Sequence, residues 1–152
     1  MAYVDAVVTL KTLLDTITIP PESGGPAITK VVQTSWLDVA ASKTASGQLN
    51  PTYTIVRTNL NAQALDANGA TNKYDDLVQV DVWCSQLGTH ETANRLREKM
   101  LAQLRAVILA NRSKPDASNY YFEIASETPR DEPDQSPPLC RTMVRIGIAG
   151  LR

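Results

Sequence analysis

The chain has 152 residues, with 15 Lys and Arg against 16 Asp and Glu, a formal net charge of −1 and 43% hydrophobic residues. These values are typical of one globular domain that buries enough surface to fold without a disulfide or metal staple. The near-zero charge argues against a general nucleic-acid-binding protein, which carries a basic surplus. Residues 1–10 lack a basic segment and no apolar run approaches about 18 residues, so we expect neither a signal peptide nor a membrane span.

The N-terminal third predicts a helix, a strand and a loop in that order. Residues 2–17 predict the helix because apolar side chains recur at steps of three and four. These side chains are Val4, Val7, Leu10, Leu14 and Ile17. The helix must end before Pro20, which cannot continue the hydrogen-bond ladder. Residues 27–37 are rich in β-branched side chains and favour a strand, whereas residues 38–50 are rich in Ala, Ser and Thr and predict a loop.

The middle of the chain predicts two strands separated by a loop. Residues 52–60 carry the β-branched and aromatic content of a strand, and the polar residues 61–74 predict a loop with an Asn68-Gly69 turn. Residues 76–85 alternate with a strict period of two, which indicates a strand half-buried on a core. One face carries Val78, Val80, Val82 and Cys84, and the other carries Leu77, Gln79, Asp81, Trp83 and Ser85.

A second helix is predicted from Thr89 to about Asn111. Thr89 is the expected N-cap, and Glu91 would lie in the first turn, where the helix dipole favours a negative charge. The predicted inner face repeats every three or four residues and consists of Ala93, Leu96, Met100, Leu104, Val107 and Ile108. Pro115 lies shortly beyond the predicted end of the helix.

The C-terminal part predicts two strands joined by a long loop. Alternating side chains predict strands over 120–125 and 141–148, while residues 127–138 contain four prolines and a net charge of −3 and predict a surface loop. We therefore expect a single α+β domain over residues 1–152. Its mixed or antiparallel sheet of four to five strands would carry two helices packed on one face.

The sequence offers little material for catalysis or metal binding. His90 stands beside a predicted helix start and is better explained as an exposed residue than as a general base. Asp75 and Asp76 are neighbours on a strand and face opposite ways, and the acidic residues of 127–138 lack the spacing of a calcium loop. Phosphate-binding and nucleophile motifs are absent. We predict no catalytic, cofactor-binding or metal-binding residues, and we disfavour an enzyme.

Cys84 and Cys140 are too few for a zinc site and do not indicate an oxidising compartment. Both occupy inward-facing positions of predicted strands, so the two thiols would approach each other if those strands were adjacent. Burial of each as a small free hydrophobic side chain is the favoured interpretation.

The second face of the predicted sheet is mixed in character, which suggests that something covers it. The cover is either another molecule or the long loops of the same chain. Trp83 is expected on this face, as an interface anchor or packed under residues 61–73. Asp81 could pair with Arg141 or Arg145, although a solvated basic edge is slightly favoured. The candidate interface residues are Asp81, Trp83, Arg130, Asp131, Glu132, Asp134, Arg141, Met143 and Arg145.

The block LVQVDVWCSQLGTHETANRLREKMLAQLRAVI (residues 77–108) resembles the core of the tail terminator, or tail-completion, proteins of long-tailed bacteriophages. In that family a similar strand leads through a short polar turn into a long amphipathic helix. The helix over 2–17 and the terminal segment CRTMVRIGIAG (residues 140–150) occupy positions of corresponding family elements, whereas residues 18–74 have no counterpart that we can place.

The resemblance implies a structural virion protein that assembles in the host cytoplasm into a ring, typically six-fold. Such a ring caps the tail tube, ends its polymerisation and provides the joint to the head. The implied partners are further copies of the chain, the tail tube protein and the head–tail connector or neck proteins. DNA would pass through the lumen without specific binding, and no cofactor or membrane is implied. The alternatives are another neck component, such as a head-closure or head–tail adaptor protein, and a cellular ligand-binding domain.

Overall fold

The computed structural model describes residues 6–64, 73–111, 120–135 and 138–151. In these ranges the chain forms three helices and five strands. The helices are α1 (Ala6–Asp15), α2 (Val39–Ser42) and α3 (Ala93–Ala110). The strands are β1 (Val31–Gln33), β2 (Thr52–Ala64), β3 (Lys73–Cys84), β4 (Tyr120–Pro129) and β5 (Cys140–Leu151).

The five strands form one mixed sheet in the order β1-β2-β3-β5-β4. The β1–β2 pair is parallel and the other pairs are antiparallel, so β3 is the central strand and β1 and β4 are the edges. Because β1 and β2 are parallel, residues 34–51 must cross from one end of the sheet to the other. The α+β prediction with a mixed sheet is confirmed.

The main core lies between one face of the sheet and helices α1 and α3. The period-two pattern of β3 is confirmed on this face, where Val78, Val80, Val82 and Cys84 have no solvent exposure. The helices contribute the buried side chains Leu10, Leu14, Leu96, Met100, Leu101, Leu104 and Ile108. The Tyr53 hydroxyl donates a 2.7 Å hydrogen bond to the Met100 carbonyl, which satisfies a polar group inside this core. Val4 of the predicted helix lies outside the described residues.

Helix α3 begins three residues later than the sequence pattern predicts. Thr92 is the N-cap, and its hydroxyl accepts a hydrogen bond from the Arg95 N–H, so Thr89 as the N-cap was wrong. The reason lies in a closed turn: Leu87 and Glu91 exchange backbone hydrogen bonds around Gly88, whose φ is +59°. Glu91 therefore precedes the helix instead of lying in its first turn. The predicted end at Asn111 is confirmed as the C-cap.

Two predicted loops contain regular structure. Within 38–50, Asp38 caps the short helix α2 by accepting from the Ala41 N–H. Strands β2 and β3 extend to Ala64 and from Lys73, so the 61–74 loop is shorter than predicted, and its Asn68-Gly69 turn lies outside the described residues.

The prediction that residues 127–138 contain no strand was wrong, because β4 continues to Pro129. The Arg130 N–H donates to the Arg141 carbonyl, so the nitrogen of the preceding Pro129 points away from β5. On an edge strand, a proline nitrogen that faces outward removes no ladder hydrogen bond. Beyond it, Glu132 and Leu139 form a further antiparallel bridge, and we call residues 130–139 the acidic hairpin.

Leu104→Ala should lower the free energy of unfolding by about 2–5 kcal/mol, because Leu104 has no solvent exposure and its truncation leaves a cavity. Leu109→Ala on the same helix is the matched control, since Leu109 is 66% exposed and should change stability by less than about 0.5 kcal/mol. Urea unfolding measures both, and equal effects would contradict the orientation of α3.

Candidate functional site

The second face of the sheet is covered around Trp83 by the chain itself. Trp83 is 6% exposed and packs in a small cluster with Leu49 and Leu139, against which Leu37 also lies. Trp83 is therefore not exposed on the subunit, and around it the alternative of loops folding over this face is correct. The predicted cover was residues 61–73, whereas the residues observed against Trp83 belong to other segments. The cover consists of residues 34–51, which we call the crossover, together with Leu139 of the acidic hairpin. The crossover passes over this face because β1 and β2 are parallel and the chain must return to the other end of the sheet between them.

Polar side chains around Trp83 form a connected network. The Trp83 indole N–H donates to the Thr54 hydroxyl at 3.0 Å, and the Arg141 guanidinium lies 4.7 Å from the centre of its ring. Arg141 also donates from Nε and Nη2 to Asp81 Oδ2, at 3.1 and 2.6 Å. The Gln79 amide donates to Asp81 Oδ1 at 2.8 Å. Because Asp81 is 1% exposed, these hydrogen bonds compensate a buried charge.

The Asp81–Arg141 ion pair resolves one choice that the sequence left open. It was weighed against a solvated basic edge, and for Arg141 the ion pair is correct. Trp83 and Arg141 are register partners on β3 and β5, so Arg141 reaches Asp81 as a diagonal neighbour on the same face. Arg145 is exposed four residues further along β5, and Met143 between them is half-buried.

The acidic hairpin is attached to the rest of the domain by ion pairs. Asp131 pairs with Arg97 of α3 and accepts a hydrogen bond from the Arg141 N–H at 3.1 Å. Glu132 lies 3.7 Å from Arg141 Nη1. These contacts place Asp131 and Glu132 in the same network as Asp81, Trp83 and Arg141. Among the residues that the structure describes, no group of acidic, His or Cys side chains is arranged to hold a metal ion.

The remaining predicted interface residues are not drawn into this network. Arg130 and Asp134 are exposed on the acidic hairpin, as Arg145 is on β5. Just before the hairpin, Glu127 binds Arg105 of α3 through two hydrogen bonds of 2.5 and 2.9 Å. The charged residues that the sequence assigned to a partner surface thus divide into an internal set and an exposed set.

Trp36 is the exposed aromatic residue that the sequence interpretation missed. Its side chain is 66% exposed, three residues beyond the end of edge strand β1. The Gln33 side chain holds this turn by accepting from the Asp38 N–H at 2.9 Å and donating to the Asp38 carbonyl and the Ser42 hydroxyl. Trp36 was hidden inside the predicted 27–37 strand. The polar run Thr34-Ser35 before it was the available signal of a strand end.

His90 lies at an open depression of about 250 Å³ that is lined by residues 26–29, 44, 48, 50, 87, 88 and 91. Glu91 is buried beside it, and both of its carboxylate oxygens are engaged. One accepts from the Glu22 N–H at 2.7 Å and the other from Lys99 at 2.9 Å. Glu91 therefore ties the turn at Glu22 to helix α3.

Comparison with protein-family models and with curated protein sequences finds no match to this chain. No helix in the described ranges is long and apolar enough to cross a membrane.

Trp83→Ala should lower the free energy of unfolding of the subunit by about 3–5 kcal/mol, because it empties the cluster beneath the crossover and leaves Arg141 without its aromatic partner. Trp36→Ala is the matched control and should change the subunit by less than about 0.5 kcal/mol. Denaturant unfolding of both variants tests this. A stable Trp83→Ala subunit would show that the crossover does not depend on the indole.

Asp131→Asn should reveal a stability contribution that disappears in acid. Arg97 lowers the pKa of Asp131 below its ordinary value of 3.8, so the unfolded chain takes up the proton first as the pH falls. The stability lost in the variant should be fully present above pH 3.8 and should vanish as the pH falls through the lowered pKa. Unfolding of both proteins across this range measures the difference. Asp134→Asn controls for general charge effects, and a pH-independent difference would exclude the ion pair as the cause.

Proposed function

We propose that this protein is a structural subunit of a ring that caps the tail tube of a long-tailed bacteriophage. The single observation that carries the proposal is Trp36, a large aromatic side chain 66% exposed on a turn that hydrogen bonds hold in place. Aromatic anchors of this kind dominate protein–protein interfaces, and a turn that is already ordered loses little entropy on binding.

The arrangement of the sheet supports cyclic assembly. A ring is built from heterologous contacts, in which two different patches of each subunit meet. The edges β1 and β4 lie at opposite sides of the sheet, and Trp36 lies in the turn that follows β1. One subunit can therefore present its Trp36 edge to a different surface of its neighbour. Such a contact, repeated around a rotation axis that closes, produces a ring.

The resemblance of residues 77–108 supplies the specific role. In the fold these residues are the end of β3, a closed turn and α3, the same strand–turn–helix order as in the tail terminators. The ring would end tube polymerisation and join the tube to the neck. A net charge of −1 suits a channel that DNA crosses without binding. The protein would then belong to the virion and carry out no catalysis.

Native mass spectrometry tests ring formation. Six chains of 16.6 kDa should give a species of about 100 kDa, either alone or after addition of tail tubes. Trp36→Ala should weaken each contact between subunits at least tenfold, which corresponds to about 1.4 kcal/mol, and should so shift the population toward the monomer. Leu109→Ala, an equally exposed apolar residue on α3, should leave assembly unchanged.

Tube capping separates the terminator from a neck adaptor. Purified protein should bind one end of preformed tail tubes and stop their growth at substoichiometric amounts, as electron microscopy of tube lengths would show. Binding to the portal without any effect on tubes would assign the chain to the adaptors instead. A protein that stays monomeric with tubes and with portal would refute the assembly role.

A further inference from the structure

Two cysteines far apart in the chain meet in the sheet. Cys84 is the last residue of β3 and Cys140 the first of β5, and the two are direct register partners. Both are free thiols. Since register partners share a face, both side chains belong to the inner, helix-covered side of the sheet. We propose that Cys84 and Cys140 form an intrachain disulfide bond when the protein meets a small-molecule disulfide such as oxidised glutathione.

The backbone geometry permits this bond. The carbonyl of Arg141 accepts from the Arg130 N–H, so the backbone polar groups of Arg141 point toward β4. Because these groups alternate along a strand, those of Cys140 point toward β3, and Cys84 and Cys140 form a hydrogen-bonded pair. The Cα atoms of such a pair are about 5.5 Å apart, within the range of about 4.4–6.8 Å found for disulfide-bonded residues.

The unequal burial of the two thiols sets the order of the reaction. Cys140 is partly exposed, whereas Cys84 has no solvent exposure and its Sγ donates to the Ala93 carbonyl at 3.4 Å. Burial raises the pKa of Cys84 to about 12, so this thiol stays protonated at neutral pH. Cys140 is therefore the residue that attacks first, and Cys84, its register partner on the neighbouring strand, acts second.

The exchange balances in two steps. The Cys140 thiolate attacks one sulfur of oxidised glutathione, the glutathione disulfide breaks, and one glutathione leaves as its thiolate. Cys84 then attacks the Cys140 sulfur, the bond between Cys140 and glutathione breaks, and the departing glutathione thiolate takes up the Cys84 proton. The two cysteines lose two electrons and two protons in total, and one disulfide oxidant becomes two thiols.

The bond would connect the ends of a segment that contains α3, β4 and the acidic hairpin. It would hold β3 and β5 together at the end of the sheet where the hairpin departs, beside the Arg97–Asp131 ion pair. The chemistry does not depend on the ring proposal. For a subunit assembled in the cytoplasm and then released, as that proposal implies, the bond would form after release into an oxidising medium.

Intact-mass spectrometry after incubation of the full chain with oxidised glutathione tests the inference. The wild-type chain should become two hydrogen atoms lighter, resist alkylation at both cysteines and regain both reactive thiols in dithiothreitol. Peptide mapping should join the segments that contain Cys84 and Cys140, and the oxidised form should unfold at a higher temperature. Persistent mixed disulfide, an unmodified chain or a disulfide between two chains would each overturn the inference.

Two variants separate the roles of the thiols. Cys84→Ala should retain glutathione on Cys140 as a stable adduct, because no second thiol displaces it. Cys140→Ser should leave Cys84 unmodified, because Cys84 is buried. The wild-type measurement stands by itself if either variant fails to fold, and a glutathione adduct on Cys84 in folded Cys140→Ser would refute the proposed order.

Discussion

The structure depends on the burial of the central strand β3 on both faces. On the inner side Val80 packs against the helices with no exposure, and on the outer side Asp81 is 1% exposed beneath the chain's own crossover. A carboxylate in such a place is costly unless it is paired and hydrogen-bonded. Asp81 therefore needs a cationic partner with hydrogen-bond donors, and the β3–β5 register places Arg141 diagonally opposite it.

Arg141 meets that requirement and links several elements at once. Its side chain binds Asp81, lies over the Trp83 ring and approaches Glu132, while its backbone N–H donates to Asp131. Asp131 in turn pairs with Arg97 on α3, so one chain of contacts joins the two faces of the sheet. The residues of such a network are energetically coupled, because removal of one charged partner leaves the other buried without a compensating charge.

This internal use of charge changes where interactions with other molecules can occur. The residues that first suggested a partner surface, Asp81, Trp83 and Arg141, stabilise the subunit instead. Among the residues whose exposure the structure describes, Trp36, on its hydrogen-bonded turn beside edge strand β1, is the large aromatic side chain that remains exposed for contact with another molecule. In the proposed ring, the preorganised Trp36 side chain at the β1 edge would contact the neighbouring subunit. The disulfide proposed for Cys84 and Cys140 would separately link β3 to β5.

The sequence by itself determined the elements whose signals are local. The period of two in β3, the helical spacing of α1 and α3 and the helix end at Asn111 follow from backbone geometry that neighbouring residues share. Only the tertiary structure decided that Trp83 on the second face is covered, because Leu49 reaches it through a parallel crossover that no local pattern encodes. It also decided that Asp81 meets Arg141, sixty positions away, since strand order is a property of the whole sheet. Strand order also explains why Pro129 can end β4. Its nitrogen carries no N–H and points away from β5, which removes no ladder hydrogen bond because β4 is an edge strand.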